Sequence, residues 1–413
     1  MPSAQNRKEL LYTLLFALCV GLPYINYYEA TFALWSFVIL VTLRRKYSFS
    51  ILGYIGYFAL ILLIATLVGT FKQADVRTYD FIRDITYLLK PILGLLAGYQ
   101  LCKPHLRNPM NTLVYVAGLI AAVHLLVIAH AFLFYNVRNI NDLRMYGGYF
   151  SDYEIYALIF LMFRNRFGID ISGRNAKMLM ILIGVSAFLY LARTNFIQFV
   201  VLYMAMKGYL KLTTRSVAVI ASVVALSVIG YALIYNSNPR RGAKGLEAFF
   251  YKIKVAPMEP FKTRVNADDW VDFNDNYRSY ENILTIRQVS NKGTAAVILG
   301  EGLGSSIDLK REVWLQTSMM RYIPFLHNGF MTVFLKAGLL GVLIYFLSIS
   351  YFWKSRPTAI PVVSEINLLL YGTGFFLIIS NWVFLGFYNL FDTKTLLVGF
   401  LFAYRERLKK LNP

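Results

Sequence analysis

The chain has 413 residues, 57% of them hydrophobic and 15% charged, with a net charge of +20. Its mean hydropathy is +0.52, which excludes an ordinary soluble domain and points to an all-α polytopic membrane protein. The positive charge calls for no nucleic acid, because it gathers in short segments between apolar runs, where Lys and Arg face anionic lipid headgroups.

Apolar runs able to cross a hydrocarbon layer of roughly 30 Å recur along the whole length. Spans are predicted at 10–27, 28–43, 50–70, 79–101, 112–135, 146–163, 176–192, 194–206, 216–235, 325–352, 363–388 and 390–404, about twelve transmembrane helices. The first lacks a small-residue cleavage site and reads as a retained span. Twenty Lys and Arg, among them Arg44, Arg45, Lys46, Lys103, Arg164, Arg166, Arg174, Lys177, Lys354 and Arg356, fall in the connections on one side. Six (Lys72, Arg77, Arg138, Arg144, Arg193 and Lys394) fall in the short connections on the other. That asymmetry predicts cytoplasmic termini. Cys19 in the first span and Cys102 at a cytoplasmic edge are placed too far apart for a disulfide, and no thiolate metal site is expected.

The chain divides into residues 1–235 with spans one to nine, 236–322 as a large outer segment, and 323–413 with the last three spans and a cytoplasmic tail. The outer segment mixes 13 Lys and Arg with 10 Asp and Glu, prolines, tryptophans and tyrosines, and is predicted to fold as a small, partly helical cap. Within it, 277–290 spaces Tyr280, Ile283, Leu284 and Ile286 as one face of a helix. "GEGLGSS" at 300–306 reads as a tight loop. No repeat, low-complexity tract, or Walker, Rossmann or zinc-ligand spacing is found.

One constellation can carry chemistry. His327 follows Pro324 where the outer segment gives way to span ten. At about 100° per residue, Phe334, Gly338 and Gly341 fall on nearly the same stripe as His327. Two glycines there admit a neighbouring helix closely, which would clamp the helix and fix the imidazole. The helix N-terminus is expected to disfavour imidazolium, leaving a neutral ring suited to accept a proton. A histidine that merely bonds a loop carbonyl at the interface is the alternative. Arg193 in "LARTNF" lies on the side that the charge bias keeps poor in arginine, so it serves either an anionic ligand or lipid phosphate. Arg144 precedes a glycine pair, Asp152 and Glu154; it pairs with a carboxylate or faces a ligand. Arg83 and Lys90 stand in span four, with Asp84 as a partner for one of them. Arg278 and Arg287 flank Glu281 in the helical piece of the cap. Asp268 and Asp269 read as a solvated acidic loop, or as a metal pair lacking further ligands.

"HNGFMTVFLKAGLLG" at 327–341 has the pattern His-Asn, nine residues, Gly, two residues, Gly at the outer end of a late span. It resembles the O-antigen ligase and O-antigen polymerase superfamily of bacterial inner membranes. "ARTNFI" at 192–197 is similar to that family's Ser-Arg turn, with Ala192 in place of the hydroxyl residue. "YRSYENIL" followed by "LGEGLGS" is similar to its Arg-x-x-x-Trp and Gly-x-Gly stretch, without the tryptophan. "RMYGGYFSDYEIYAL" is similar to its Gly-x-Phe-x-x-Pro-Asn segment, with Ser-Asp for Pro-Asn. The resemblance implies a GT-C-like fold and metal-independent, cofactor-free glycosyl transfer at the periplasmic face. The donor would be a glycan on undecaprenyl diphosphate. The acceptor would be a hydroxyl of lipid A–core in a ligase, slightly favoured, or of a second lipid-linked glycan in a polymerase. Carried onto this chain, His327 is the general base and Arg193 and Arg278 clamp the diphosphate, with Asn328, Arg144 and Arg287 as auxiliary contacts. Two other classes stay open. A glycolipid transporter or flippase would use Arg83, Lys90, Asp152 and Glu154 as a pathway. A metal-dependent glycosyltransferase would use Asp268 and Asp269.

Overall fold

The computed structural model describes residues 4–72, 77–102, 106–137, 140–148, 151–211, 213–243, 246–259, 261–315, 318–354 and 357–411. Lys103, Arg138 and Arg356, used above to orient the chain, lie outside them. The protein is mostly helical. In chain order come α1 (Ala4–Gly21), α2 (Tyr28–Val41), α3 (Phe49–Lys72), α4 (Thr78–Leu101), α5 (Pro109–Phe134) and α6 (Ile140–Gly147). Then follow α7 (Asp152–Met162), α8 (Arg164–Phe167), α9 (Gly173–Leu189), α10 (Arg193–Met206) and α11 (Thr214–Asn236). The outer segment supplies α12 (Leu246–Val255), α13 (Trp270–Asp275), α14 (Tyr277–Asn291), α15 (Thr294–Leu299) and an antiparallel hairpin of β1 (Ile307–Leu315) and β2 (Ser318–Ile323). The chain ends in α16 (Gly329–Ser350), α17 (Pro361–Phe384) and α18 (Lys394–Leu411).

A helix occupies each of the twelve predicted stretches, but they differ in kind. Among the described residues, six are long and apolar enough to cross a membrane: Asn6–Ile25, Phe49–Phe71, Pro109–Phe134, Thr214–Asn236, Gly329–Trp353 and Pro361–Phe384. The others fall short for physical reasons. α4 carries Asp80, Arg83, Asp84 and Lys90; α18 ends in a basic turn; α2, α7, α9 and α10 have 17 residues or fewer. The charged α4 is nevertheless central. It packs backbone to backbone on α18, where a methyl group on Gly98 or Gly399 would overlap the facing carbonyls of Leu396 and Leu95. Small residues permit that approach where lipid offers no hydrophobic driving force.

The charges within the bundle bond to one another. Lys90 reaches Asp392 at 3.1 Å, Asp392 reaches Lys394 at 2.6 Å, and Lys394 reaches Asp152 at 2.5 Å, all four buried and tying α4, α7 and α18 together. Asp152 therefore pairs with Lys394, whereas Glu154 accepts a hydrogen bond from Ser186 at 2.6 Å. A second buried group centres on Asp84, which meets Arg83 at 3.0 Å and also Lys336 of α16. Arg83 thus takes the local partner that the sequence offered.

The glycine-rich stretch is the loop expected, and it does more than turn. Gly300, Gly302 and Gly304 all have φ between 81° and 85°, a region open to glycine at no cost. The loop pushes in between α3, α4 and α16. Leu303 N donates to the Ala65 carbonyl at 2.9 Å, Glu301 N to the Leu335 carbonyl at 2.7 Å, and Gly304 N to Asp84 at 2.7 Å. It meets α16 at Gly338, whose φ of 63° and ψ of −164° interrupt the helix. The glycine stripe therefore works otherwise than predicted. Gly338 breaks α16 to receive the Ile298–Gly300 backbone, and Gly341 lies against Ala337 and Val333 of its own helix rather than a neighbouring one. The cap has a core of its own, in which Phe273, Tyr280, Val289, Ile307 and Leu309 pack on Leu326, Phe334 and Leu335 of the α16 entry.

Lys336 is one of three partners of buried Asp84, so its removal costs the pair but leaves the carboxylate with Arg83 and the Gly304 N–H. Lys336→Met is expected to lower the thermal unfolding midpoint of the detergent-purified protein markedly. Asp84→Asn alone is expected to lower it further, because it leaves Lys336 buried without a carboxylate and takes one from Arg83.

Candidate active site

His327 lies just before α16, and Asn328 is the residue that caps the helix. The Asn328 Oδ1 accepts from Phe330 N at 2.9 Å and Met331 N at 3.2 Å, filling two of the orphan donors of the first turn. Gly329 follows because Asn381 and the Leu385 carbonyl of α17 leave no room for a side chain. The Leu385 N–H in turn donates to the His327 carbonyl at 3.1 Å. The main chain of His327 is thus held from both sides.

Its ring is held by Glu281. The carboxylate oxygens lie 3.0 and 3.1 Å from His327 Nδ1, and one of them also accepts from His327 N at 2.9 Å. The Glu281 side chain is only 1% exposed, whereas that of His327 is 42% exposed. Tyr277, one turn before Glu281 on α14, sets its ring edge-on to the imidazole at 5.7 Å. This leaves the carboxylate behind the ring and Nε2 on the open side. A neutral ring in this setting carries its proton on Nδ1 and a lone pair on Nε2.

The electrostatics correct the expectation of a ring kept neutral by the helix end. Glu281 raises the His327 pKa above the ordinary value, against the opposing effects of burial and of Arg278. A full negative charge in contact outweighs a partial helix charge, and Asn328 has already taken two of the free N–H groups. The protonated form is favoured up to a higher pH, and the neutral base is present only above that raised pKa.

Arg193 opens α10, and its Nη1 donates to the Lys252 carbonyl of α12 at 2.6 Å. The Arg193 guanidinium is attracted by Glu259 and repelled by Arg278 and Arg144. Lys252 itself is exposed, with Arg144 and Arg193 nearby. Arg278 Nη1 bonds Glu259 at 3.0 Å, and both Arg278 and Glu259 act on His327. Arg278 of α14 is therefore the cation nearest the His327–Glu281 pair, and Arg193 of α10 links it to Arg144 of α6 and Lys252 of α12. Three of them, Arg144, Arg193 and Arg278, were candidates from the sequence.

Other candidates fall elsewhere. Arg287 does not join the cluster: nine residues beyond Arg278, it points from the opposite face of α14 and is exposed. Asn328 serves the helix cap described above. Asp269 caps α13, accepting from Val271 N at 2.8 Å, and Asp268 is exposed beside it. Glu281, Glu259 and Lys252 were missed. The one available signal for Glu281 was its position a single turn after Arg278 on a helix whose exposed face has other charges to offer. No protein-family model matches the chain, and no curated protein matches it.

Glu281→Gln removes the charge that raises the His327 pKa. For any activity that uses neutral His327 as a base, the acidic limb of the pH–rate profile is expected to move to lower pH, with a fall in the plateau rate of 10-fold or more. An unmoved limb would mean that Glu281 does not govern the ring.

Proposed function

We propose that the protein is a membrane glycosyltransferase of the O-antigen ligase and polymerase type, moving a glycan from undecaprenyl diphosphate to a sugar hydroxyl. The observation that carries this reading is the carboxylate-backed imidazole of His327, open at Nε2, with Arg278 acting on it and Arg193, Arg144 and Lys252 following on from Arg278. A base alone fits many reactions. A base beside crowded cations fits one in which a polyanion departs.

In this reading the acceptor hydroxyl gives its proton to Nε2 as its oxygen attacks the anomeric carbon. The bond from that carbon to the diphosphate breaks, and the charge left on the leaving group is met by Arg193 and Arg278. Glu281 stabilises the imidazolium formed at that moment. Glu259 holds Arg278 in place until the diphosphate enters. The apolar bundle suits a donor whose polyprenyl anchor stays in the bilayer. The reading includes twelve spans in a GT-C-like arrangement, cytoplasmic termini and a site on the periplasmic side of a bacterial inner membrane. That orientation follows from the basic residues at the far end of the bundle. Lipid A–core is the favoured acceptor, and a second lipid-linked glycan is the alternative.

His327→Ala is expected to lower transfer from a purified undecaprenyl-linked repeat unit by at least 10³-fold while the protein remains folded. Arg193→Lys is expected to lose more than 90% of activity, because a point charge does not replace a bidentate fork. Full turnover in the first variant would overturn the assignment of the base; full turnover in the second would take Arg193 out of the site. Product transferred only when lipid A–core is supplied identifies a ligase, and a ladder of lengthening lipid-linked product identifies a polymerase.

A further inference from the structure

The opposite end of the bundle holds a cavity of about 410 Å³ between the end of α7, α8 and the start of α9. α9 rises ~24 Å from Gly173 to Leu189, so this cavity is separated from the Arg193 site by nearly the length of that helix. Its polar wall is cationic, with Arg164, Arg166 and Lys177. The three differ in how far they are already engaged. Arg166 is spent, donating to the Met206 carbonyl at 2.7 Å and meeting Glu365 at 2.5 Å. Arg164 makes one long bond, from Nη1 to the Ile171 carbonyl at 3.4 Å, leaving most of its five donors open. Lys177 is exposed and has no protein partner among the described residues. Gly173, where α9 begins, lies beside the Arg164 guanidinium.

Apart from Asn165, the remaining wall is apolar and includes Met162 and Met180. Beyond it, α9 exposes Met178, Ile181 and Val185. A soluble phosphate has no use for that surface, whereas acyl chains do. We propose that this cavity binds the phosphodiester headgroup of an anionic phospholipid, held by Arg164 and Lys177, with the chains lying along α9. A guanidinium fork with an ammonium beside it suits a phosphate, and basic pockets between helices are a recognised way to hold anionic lipid. The inference is independent of the catalytic reading.

Thermal unfolding of the detergent-purified full chain tests it, with phosphatidylglycerol, phosphatidylethanolamine or inorganic phosphate added. Phosphatidylglycerol is expected to raise the midpoint of the wild type by several degrees, and the other two to raise it by less than a quarter as much. Lys177→Gln alters an exposed side chain and is expected to lose about half of the shift. Arg164→Gln/Lys177→Gln is expected to lose most of it. Arg174→Gln, an exposed neighbour outside the cavity, is expected to keep all of it. Shifts undiminished in both cavity variants, or an equal shift from inorganic phosphate, would overturn the proposal.

Discussion

The interaction on which the candidate site depends is the contact between a buried carboxylate and a half-exposed imidazole. Glu281 receives two bonds from one residue, one from the ring and one from the main chain of His327. An isolated carboxylate at that burial would be costly; the double contact offsets the cost and fixes the ring at the same time. The pair also sets a direction. The charge lies behind the ring, so the free nitrogen faces the open side. A histidine with no such support would be free to turn and to exchange tautomers.

Holding that contact requires the cap and the bundle to be one body. Glu281 comes from α14 in the cap and His327 from the entry to α16, so any slip between them would part the pair. Two devices prevent it. The 300–306 loop is wedged among α3, α4 and α16 by backbone hydrogen bonds and by the Asp84–Lys336 pair. The core of the cap is completed by Leu326, Phe334 and Leu335, so it is not closed without α16. The break at Gly338 belongs to the same arrangement, because only an interrupted helix can accept the loop that pins it. The cation cluster is assembled in a related way, with the Lys252 carbonyl tying α12 to Arg193 at the start of α10.

Much of this was legible in the sequence, and the rest was not, for identifiable reasons. Apolar runs and the basic connections marked a helical membrane protein, and helix periodicity found α14 to within a residue at each end. The "GEGLGSS" loop was legible from its glycines, but its destination was not, since wedging depends on partners more than 200 residues away. The stripe of Gly338 and Gly341 was drawn on the assumption of a continuous helix, and the break at Gly338 voids that geometry. His327 stands out in the sequence by its place between a polar segment and an apolar one. Glu281 was passed over because a glutamate on an amphipathic cap helix looks like any solvated charge until the fold buries it. The neutral imidazole was inferred from the helix end alone, with the carboxylate unseen. Arg287 is close to Arg278 in sequence, yet nine residues of helix turn it to the other side.

The chemistry of the site turns on the state of one ring, and that can be observed directly. The chain has four histidines, so nitrogen NMR of ¹⁵N-histidine-labelled protein, with a His327 variant for assignment, resolves both the tautomer and the titration. The account predicts a neutral ring protonated on Nδ1, with a midpoint above the usual histidine value near 6.5. A ring protonated on Nε2, or a midpoint below that value, would contradict it.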